Sequence, residues 1–250
     1  MAEPILRATG LAKMFGGLAA VRDVSLALWP NQVHAVIGPN GAGKTTLINL
    51  LSGDLAPSAG TVIFEGEDIA GQALDRIARR GIARAYQRTN IFAEFSAFEN
   101  CRLAAQARRQ QAIRLFRPAR AYRAINEAAE RALALAGLEA CAAMRADALS
   151  HGEQRQLELA MALATQPTLL LLDEPLAGMG PEEAVRIASL IARLAESHAI
   201  LLVEHDMDAV FNVAATVTVM VDGTVLASGS PAAIRANVAV QAAYLGEAAA

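Results

Sequence analysis

The sequence predicts an α/β fold built on a parallel sheet, and three observations carry that prediction. An apolar segment at residues 33–37 runs into the glycine-rich stretch GPNGAGKTT at 38–46, and that stretch opens a helix-like segment. A second apolar run, the four leucines at 169–172, ends in Asp173-Glu174-Pro175. Uninterrupted apolar strands of this kind belong to parallel sheets covered on both faces. Between the two, from 87 to about 137, the chain turns rich in Ala and Arg with helical spacing, which reads as a helical subdomain inserted in the α/β core.

In order along the chain, residues 5–9 and 24–29 have β character, with Phe15-Gly16-Gly17 as punctuation between them. Residues 33–37 feed the glycine-rich loop, and a helix over about 45–52 stops at Gly53. A β segment at 61–64 precedes the turn Glu65-Gly66-Glu67-Asp68. In the insert, eight Arg between Arg102 and Arg131 face only Glu127 and Glu130, while Tyr122, Ile125, Ala129 and Leu133 recur at helical spacing. Most of these Arg read as the solvated face of an amphipathic helix. A helix from Ser150 to about Thr165 is stopped by Pro167. A helix over 182–196, a strand over 199–204 and strands at 217–221 and 224–227 around Asp222-Gly223, a hairpin signal, complete the chain.

Composition bounds the rest. At 250 residues the chain holds one large α/β domain, or a core with a satellite subdomain. It has no charge-free apolar run of about 18 residues, as a membrane span would need, and MAEPILRATG does not read as a secretory signal. The net charge of −3 argues against a general nucleic-acid binder. Cys101 and Cys141 lack metal-ligand spacing and read as reduced, buried thiols of a cytosolic protein. Lysine occurs only at Lys13 and Lys44, so one survives where a flexible point charge suits phosphate.

Gly38, Gly43, Lys44 and Thr45 fill every fixed position of the phosphate-loop pattern G-x-x-x-x-G-K-[ST]. The loop Gly38, Pro39, Asn40, Gly41, Ala42, Gly43, Lys44, Thr45, Thr46 would wrap a polyphosphate with its backbone, and the helix N-terminus adds a favourable dipole. Lys44 would reach the β- and γ-phosphates, and the Thr45 hydroxyl would ligate Mg²⁺. Asp173, emerging from the end of its strand, would hold Mg²⁺ directly or through water, and Glu174 would take a proton from the attacking water. The bland alternatives are an ordinary glycine turn and a strand-end cap. In Leu149-Ser150-His151-Gly152-Glu153-Gln154, Ser150 and Glu153 form a capping box, and that helix N-terminus is also suited to an anion.

Taken together, the order phosphate loop, Gln87, LSHGE, LLLLDEP and His205 resembles the ATP-binding cassette (ABC) transporter ATPases over essentially the whole chain. The resemblance implies a phosphate-loop (RecA-like) ATPase core with an N-terminal antiparallel β subdomain and an inserted α-helical subdomain. The whole chain, 1–250, would be one domain, with the β subdomain and core at about 1–87 and 166–250 and the helical subdomain at about 88–165. It implies that Phe15 stacks on adenine and that Gln87 contacts Mg²⁺ and the attacking water. Ser150, His151, Gly152 and Glu153 would form the signature segment, with Ser150 and Gly152 binding the γ-phosphate held by a partner subunit. His205 would hydrogen-bond the γ-phosphate of its own subunit. Two departures stand out: the usual LSGGQ carries His151 and Glu153 here, and Ala177-Gly178-Met179-Gly180 lacks the aspartate most cassettes place there.

The stretch FGGLAAVRDVSLALWPNQVHAVIGPNGAGKTT, the basic insert, VEHDMDAVF and the tail SGSPAAIRANVAVQAAYLGE are similar to the ATP-binding subunits of branched-chain amino acid importers, whose relatives serve urea and other small amides or acids. The implied substrates and cofactors are ATP and Mg²⁺. The implied partners are a second cassette (a copy or a paralogue), integral membrane permease subunits and, indirectly, a periplasmic or extracellular solute-binding protein, with no nucleic acid. The implied place is the cytoplasmic face of the bacterial inner membrane, peripherally bound. A soluble cassette ATPase acting on DNA or ribosomes is a second class, but it usually carries two cassettes or a long coiled coil. A phosphate-loop kinase would leave LSHGE and His205 unexplained. Finally, Ile91, Phe92, Phe95 and Phe98 form an apolar cluster that would either receive a membrane subunit or seat the helical subdomain.

Overall fold

The computed structural model describes residues 3–86, 90–108 and 121–245. In chain order the elements are β1 (Leu6–Phe15), β2 (Leu18–Leu28), β3 (Val33–Ile37), α1 (Lys44–Ser52), β4 (Ala59–Phe64), β5 (Glu67–Asp68), α2 (Leu74–Arg80), β6 (Ile82–Ala85), α3 (Ala97–Arg108) and α4 (Arg123–Ala136). They continue with α5 (His151–Ala164), β7 (Leu169–Asp173), α6 (Pro181–Leu194), β8 (Ala199–Val203), α7 (Met207–Val213), β9 (Thr216–Val221), β10 (Thr224–Gly229), α8 (Pro231–Arg235) and α9 (Val238–Leu245).

Two sheets organise the chain. The first is antiparallel, in the order β2-β1-β4-β5. The second runs β10-β9-β3-β8-β7-β6, parallel from β9 to β6 with β10 antiparallel at one edge. The strand period of two divides the leucines of β7 between two cores: Leu169 and Leu171 join the core shared with the first sheet and α1, and Leu170 and Leu172 join the core under α3 to α6. All four are fully buried, each stabilising the fold by roughly 1.5–3 kcal/mol relative to exposure. That two-sided demand is why the segment carries no polar residue until Asp173.

The strands β1, β2 and β6 depart from the sequence reading. β1 and β2 are ten and eleven residues long and meet at the Gly16-Gly17 turn, so they reach well past 5–9 and 24–29. Register shifts between Ala8 and Leu11, Leu11 and Lys13, and Lys13 and Met14 break the alternation that would have revealed their length. The short strand β6 was hidden because Arg84 interrupts an apolar run. The helical segment α3–α5 packs as expected: Ile125, Ala129 and Leu133 are buried, whereas Arg123 is exposed and pairs with Glu127 at 2.6 Å.

Candidate nucleotide-binding site

β3, β8 and β7 are adjacent and parallel, with Val36, Val203 and Asp173 level across the sheet. Their C-terminal ends therefore open on one edge, where open α/β sheets bind ligands. Each end delivers one of the expected groups: loop 38–46 follows β3, Glu204-His205 follows β8, and Asp173-Glu174 closes β7.

The loop needs glycine at two close approaches. A Cβ on Gly38 would lie 2.1 Å from the Met220 carbonyl oxygen, and one on Gly43 would lie 2.4 Å from that of Ala20, both at positive φ. Gly43 caps α1 without a side-chain hydrogen bond, so the first N–H groups of α1 are left to an anion. The Lys44 side chain is buried and its ammonium donates to the carbonyls of Gly38 at 2.5 Å and Pro39 at 2.9 Å, which places a cation inside the loop.

Around it lies a cleft of about 380 Å³, lined by Leu18, Ala19, Ala20 and Arg22 of β2, residues 40–46, Glu174, Asp222 and Gly223. The β9–β10 turn buttresses the loop: Arg22 N–H donates to Gly223 O at 2.7 Å and Gly223 N–H to Ala42 O at 3.1 Å. The sequence showed Asp222-Gly223 only as a hairpin; nothing local could show that it walls the loop. Phe15, at the end of β1, is 47% exposed and so is not a core aromatic. Its ring lies 5.3 Å from the Lys13 ammonium, and its strand partner Leu18 lines the cleft.

Glu174 sits at φ 49, a left-handed conformation that a non-glycine residue adopts at a cost of roughly 1–2 kcal/mol. Its N–H is held by Val203 O at 2.9 Å, and its side chain reaches the cleft. Asp173 is buried and accepts from Arg84 at 2.7 Å; burial pushes its carboxyl up while Arg84 acts in the opposite direction. At the end of β8, Glu204 is fully buried and accepts the N–H groups of Leu176 at 2.9 Å and His205 at 3.1 Å. The His205 side chain is largely exposed, with Nδ1 3.6 Å from Glu204. Sequence reasoning passed over both Arg84 and Glu204. The available signal was a charge inside a run that otherwise reads as buried strand.

The residues present suit Mg²⁺. No cluster of three His, Cys, Asp or Glu able to hold a metal exists among the described residues. Mg²⁺ is usually held by one or two carboxylates with substrate phosphates and waters, and a single buried carboxylate, Asp173, together with the Thr45 hydroxyl at the start of α1 is a donor set of that kind.

Ser150, Gly152 and Glu153 lie elsewhere. Ser150 caps α5: its N–H and hydroxyl donate to Glu153 Oε2, each at 2.8 Å, and its Oγ accepts Glu153 N–H at 3.3 Å. Those bonds hold the Glu153 carboxyl below its usual range. The three line a separate small cleft with Gln156, Glu183 and Arg186, and none of them lines the phosphate-loop cleft. A Cβ on Gly152 would come within 2.9 Å of Glu183 Oε1, and one on Gly178 would lie 3.9 Å from His151 Nε2. Gln87 lies outside the described residues. Both flanks of its segment are tied to α5, however: Arg155 donates to Tyr86 O at 3.1 Å, and Asn90 N–H donates to Glu158 at 2.6 Å within the buried Arg155–Glu158 pair.

A phosphate loop after β3, a histidine after the adjacent β8 and a carboxylate pair at the end of β7, one strand further on, define a nucleoside-triphosphate hydrolase of the phosphate-loop type. Residues 21–177 match the family described as ABC transporter, and 224–250 match one described as branched-chain amino acid ATP-binding cassette transporter. The chain is 41% identical to the high-affinity branched-chain amino acid transport ATP-binding protein LivG of Escherichia coli (strain K12), over 99% of this chain and 100% of that one. It is 42% identical, over the same shares, to BraF of Pseudomonas aeruginosa, a protein of the same description. Among solved structures, the ADP conformation of MJ1267, an ATP-binding cassette of an ABC transporter, superposes with a TM-score of 0.87 at 28% identity, covering 98% of this chain and 100% of that chain. The chain belongs to the ABC transporter family and is its ATP-hydrolysing cassette.

Proposed function

We propose that this chain is the ATPase subunit of an importer for branched-chain amino acids, bound peripherally at the cytoplasmic face of a bacterial inner membrane. The observation that carries the reading is the convergence of loop 38–46, Asp173-Glu174 and His205 on three neighbouring strand ends, in a chain aligned end to end with LivG and BraF. No described helix is long and apolar enough to cross a membrane, so passage of cargo falls to permease subunits. A solute-binding protein would deliver it. We read the chain as a single cassette, with the core at about 1–87 and 166–250 and the helical subdomain at about 88–165.

ATP is the substrate. The exposed Phe15 ring stacks on its adenine, the loop backbone and the N-terminus of α1 hold its phosphates, and Lys44 compensates their charge. Thr45 and Asp173 would hold Mg²⁺, whose chemistry there is to neutralise charge on the phosphate oxygens. Glu174 orients a water and accepts its proton, and His205 and Gln87 act on the γ-phosphate and attacking water. Ser150 and Gly152, remote from the loop of their own chain, serve the site of a second cassette, a paralogue or another copy. His151 and Glu153 flank that contact.

The experiment is reconstitution with the permease subunits and a paralogous cassette in proteoliposomes, with a leucine-loaded binding protein outside. ATP-dependent leucine uptake, lost on Lys44→Ala together with nucleotide binding, is expected. Uptake of urea or a short-chain amide instead would reassign the cargo and leave the ATPase reading standing. ATP turnover by the Lys44→Ala protein at the wild-type rate would overturn it.

A further inference from the structure

We propose that Arg84 is a positioning residue for the metal site: its guanidinium fastens the Asp173 carboxylate to α1, the helix that opens with Lys44 and Thr45. It thereby fixes the metal's two protein ligands relative to each other. The proposal rests on the reading of Asp173 and Thr45 as Mg²⁺ ligands.

Arg84 belongs to β6, next to β7, and its side chain is only 7% exposed. Nη2 donates to Asp173 Oδ2 at 2.7 Å. Nη1 faces three acceptors: Asn49 Oδ1 at 2.6 Å, Ser52 Oγ at 3.1 Å and Asp54 Oδ2 at 2.6 Å. The guanidinium carbon lies 4.6 Å from the centre of the Tyr86 ring. Asn49 and Ser52 form the end of α1, and Asp54 follows its Gly53 cap. One planar fork therefore spans the metal-site carboxylate and the far end of the phosphate-loop helix.

Stability alone does not account for this arrangement. Buried ion pairs are often matched or exceeded by apolar replacements of similar volume, and their best-attested benefit is specification of geometry. The charges count the same way. Arg84 between Asp54 and Asp173 leaves one net negative charge, so a nearby cation still meets attraction. With Oδ2 committed to Arg84, Asp173 presents its other oxygen, which suits the single-oxygen ligation of an octahedral Mg²⁺. Lysine could not reproduce the fork, because a point charge lacks the planar donor pair that reaches both sides.

The test measures metal binding in the full-length chain, with Mn²⁺ standing in for Mg²⁺ and read by its paramagnetic resonance signal in the presence of a non-hydrolysable ATP analogue. Arg84→Ala is expected to weaken Mn²⁺ binding about tenfold or more, in line with loss of groups that orient metal ligands. Affinity for the analogue in EDTA should stay within about twofold, as expected of a group that orients the ligand without contacting the nucleotide. Arg84→Lys should recover only part of the loss. Asp54→Asn loosens the fork from the α1 side without touching Asp173, and carries the test should Arg84→Ala fail to fold. It is expected to weaken Mn²⁺ binding by a smaller factor than Arg84→Ala, because Asp173 keeps its own bond to Arg84. Unchanged or tighter Mn²⁺ binding in these variants overturns the proposal, as does an equal loss of analogue binding in EDTA. Asp173→Asn separates the two readings. If it weakens Mn²⁺ binding while the Arg84 and Asp54 variants do not, only the positioning role falls; if it has no effect, the metal assignment falls and takes the positioning role with it.

Discussion

The carboxylate of Glu204 accepts the backbone N–H of Leu176 at 2.9 Å while wholly buried. Its second oxygen accepts His205 N–H at 3.1 Å, so one side chain ties the end of β8 to the turn that follows Asp173-Glu174-Pro175. Burial pushes the Glu204 carboxyl up, and the two backbone donors act in the opposite direction. Glu204→Ala strands both N–H groups but also removes a buried charge, so it should lower unfolding free energy by about 1–3 kcal/mol. It should also slow ATP turnover, because Glu174 and His205 lose their common tether. Urea denaturation and steady-state ATPase assays check both; full activity together with full stability would refute the tether.

Glu174→Gln preserves shape and removes the proton acceptor. Turnover should fall roughly 10²–10⁴-fold with ATP binding intact, and the ATP-bound pair of cassettes should accumulate. Single-turnover kinetics and size-exclusion chromatography of the paired cassettes read the two effects separately; wild-type turnover would remove Glu174 from the mechanism.

His34 supplies a pH dependence of known sign. Its Nε2 lies 2.8 Å from Thr218 Oγ1, which in turn lies 2.8 Å from Ser228 Oγ, and burial lowers its pKa from 6.5 to about 4. The unfolded chain takes up the proton near 6.5 and the native chain resists it until about 4. Stability is therefore full above 6.5 and falls as the pH drops toward 4, by about 3 kcal/mol in all. The buried carboxyls of Asp173, Glu158 and Glu204 are shifted up and contribute with the opposite sign. The His34 contribution is accordingly the difference between wild type and His34→Gln in urea titrations at pH 7.5 and 4.5. Equal pH slopes for the two proteins would exclude it.

How much of this was legible follows from where each signal lives. Loop 38–46, the four leucines of β7 and the Ser150–Glu153 capping box are local patterns, and each local pattern has one cheap structural solution. The separation of Ser150 from the phosphate loop is a tertiary fact that entered only through resemblance. For Arg84 and Glu204 the charge was visible in the sequence but the partner was not. Their partners lie 89 and 28 residues away, at Asp173 and Leu176, so no spacing rule connects them. The insert was legible as helical from Ile125, Ala129 and Leu133, whereas the Asn100 side chain that braces residues 92–96 through Phe92 N–H, Phe92 O and Ser96 O has no sequence signature.

The apolar cluster after Gln87 divides into two pairs, and the division makes docking testable. Ile91 and Phe98 pack against the larger core and seat the helical segment. Phe92 and Phe95 are 54% and 41% exposed, with rings stacked at 5.6 Å. The two alternatives for the cluster therefore fall on different members, Ile91 and Phe98 as a seating pair and Phe92 and Phe95 as a surface pair. Stacked, exposed aromatics on a braced loop have the character of an interface anchor, and the loop's flanks, Tyr86 and Asn90, are held by the same helix that Ser150 caps. Phe92→Ala or Phe95→Ala should leave the melting temperature of the isolated cassette nearly unchanged, because little apolar area is exposed by the change. The same variants should weaken co-purification with the permease subunits and reduce transport per ATP hydrolysed. Phe98→Ala should behave differently: its half-buried ring packs against the larger core, so its loss should lower the melting temperature. A several-degree fall in melting temperature for Phe92→Ala, with normal coupling in the surviving protein, would place the ring in the seat rather than at the interface.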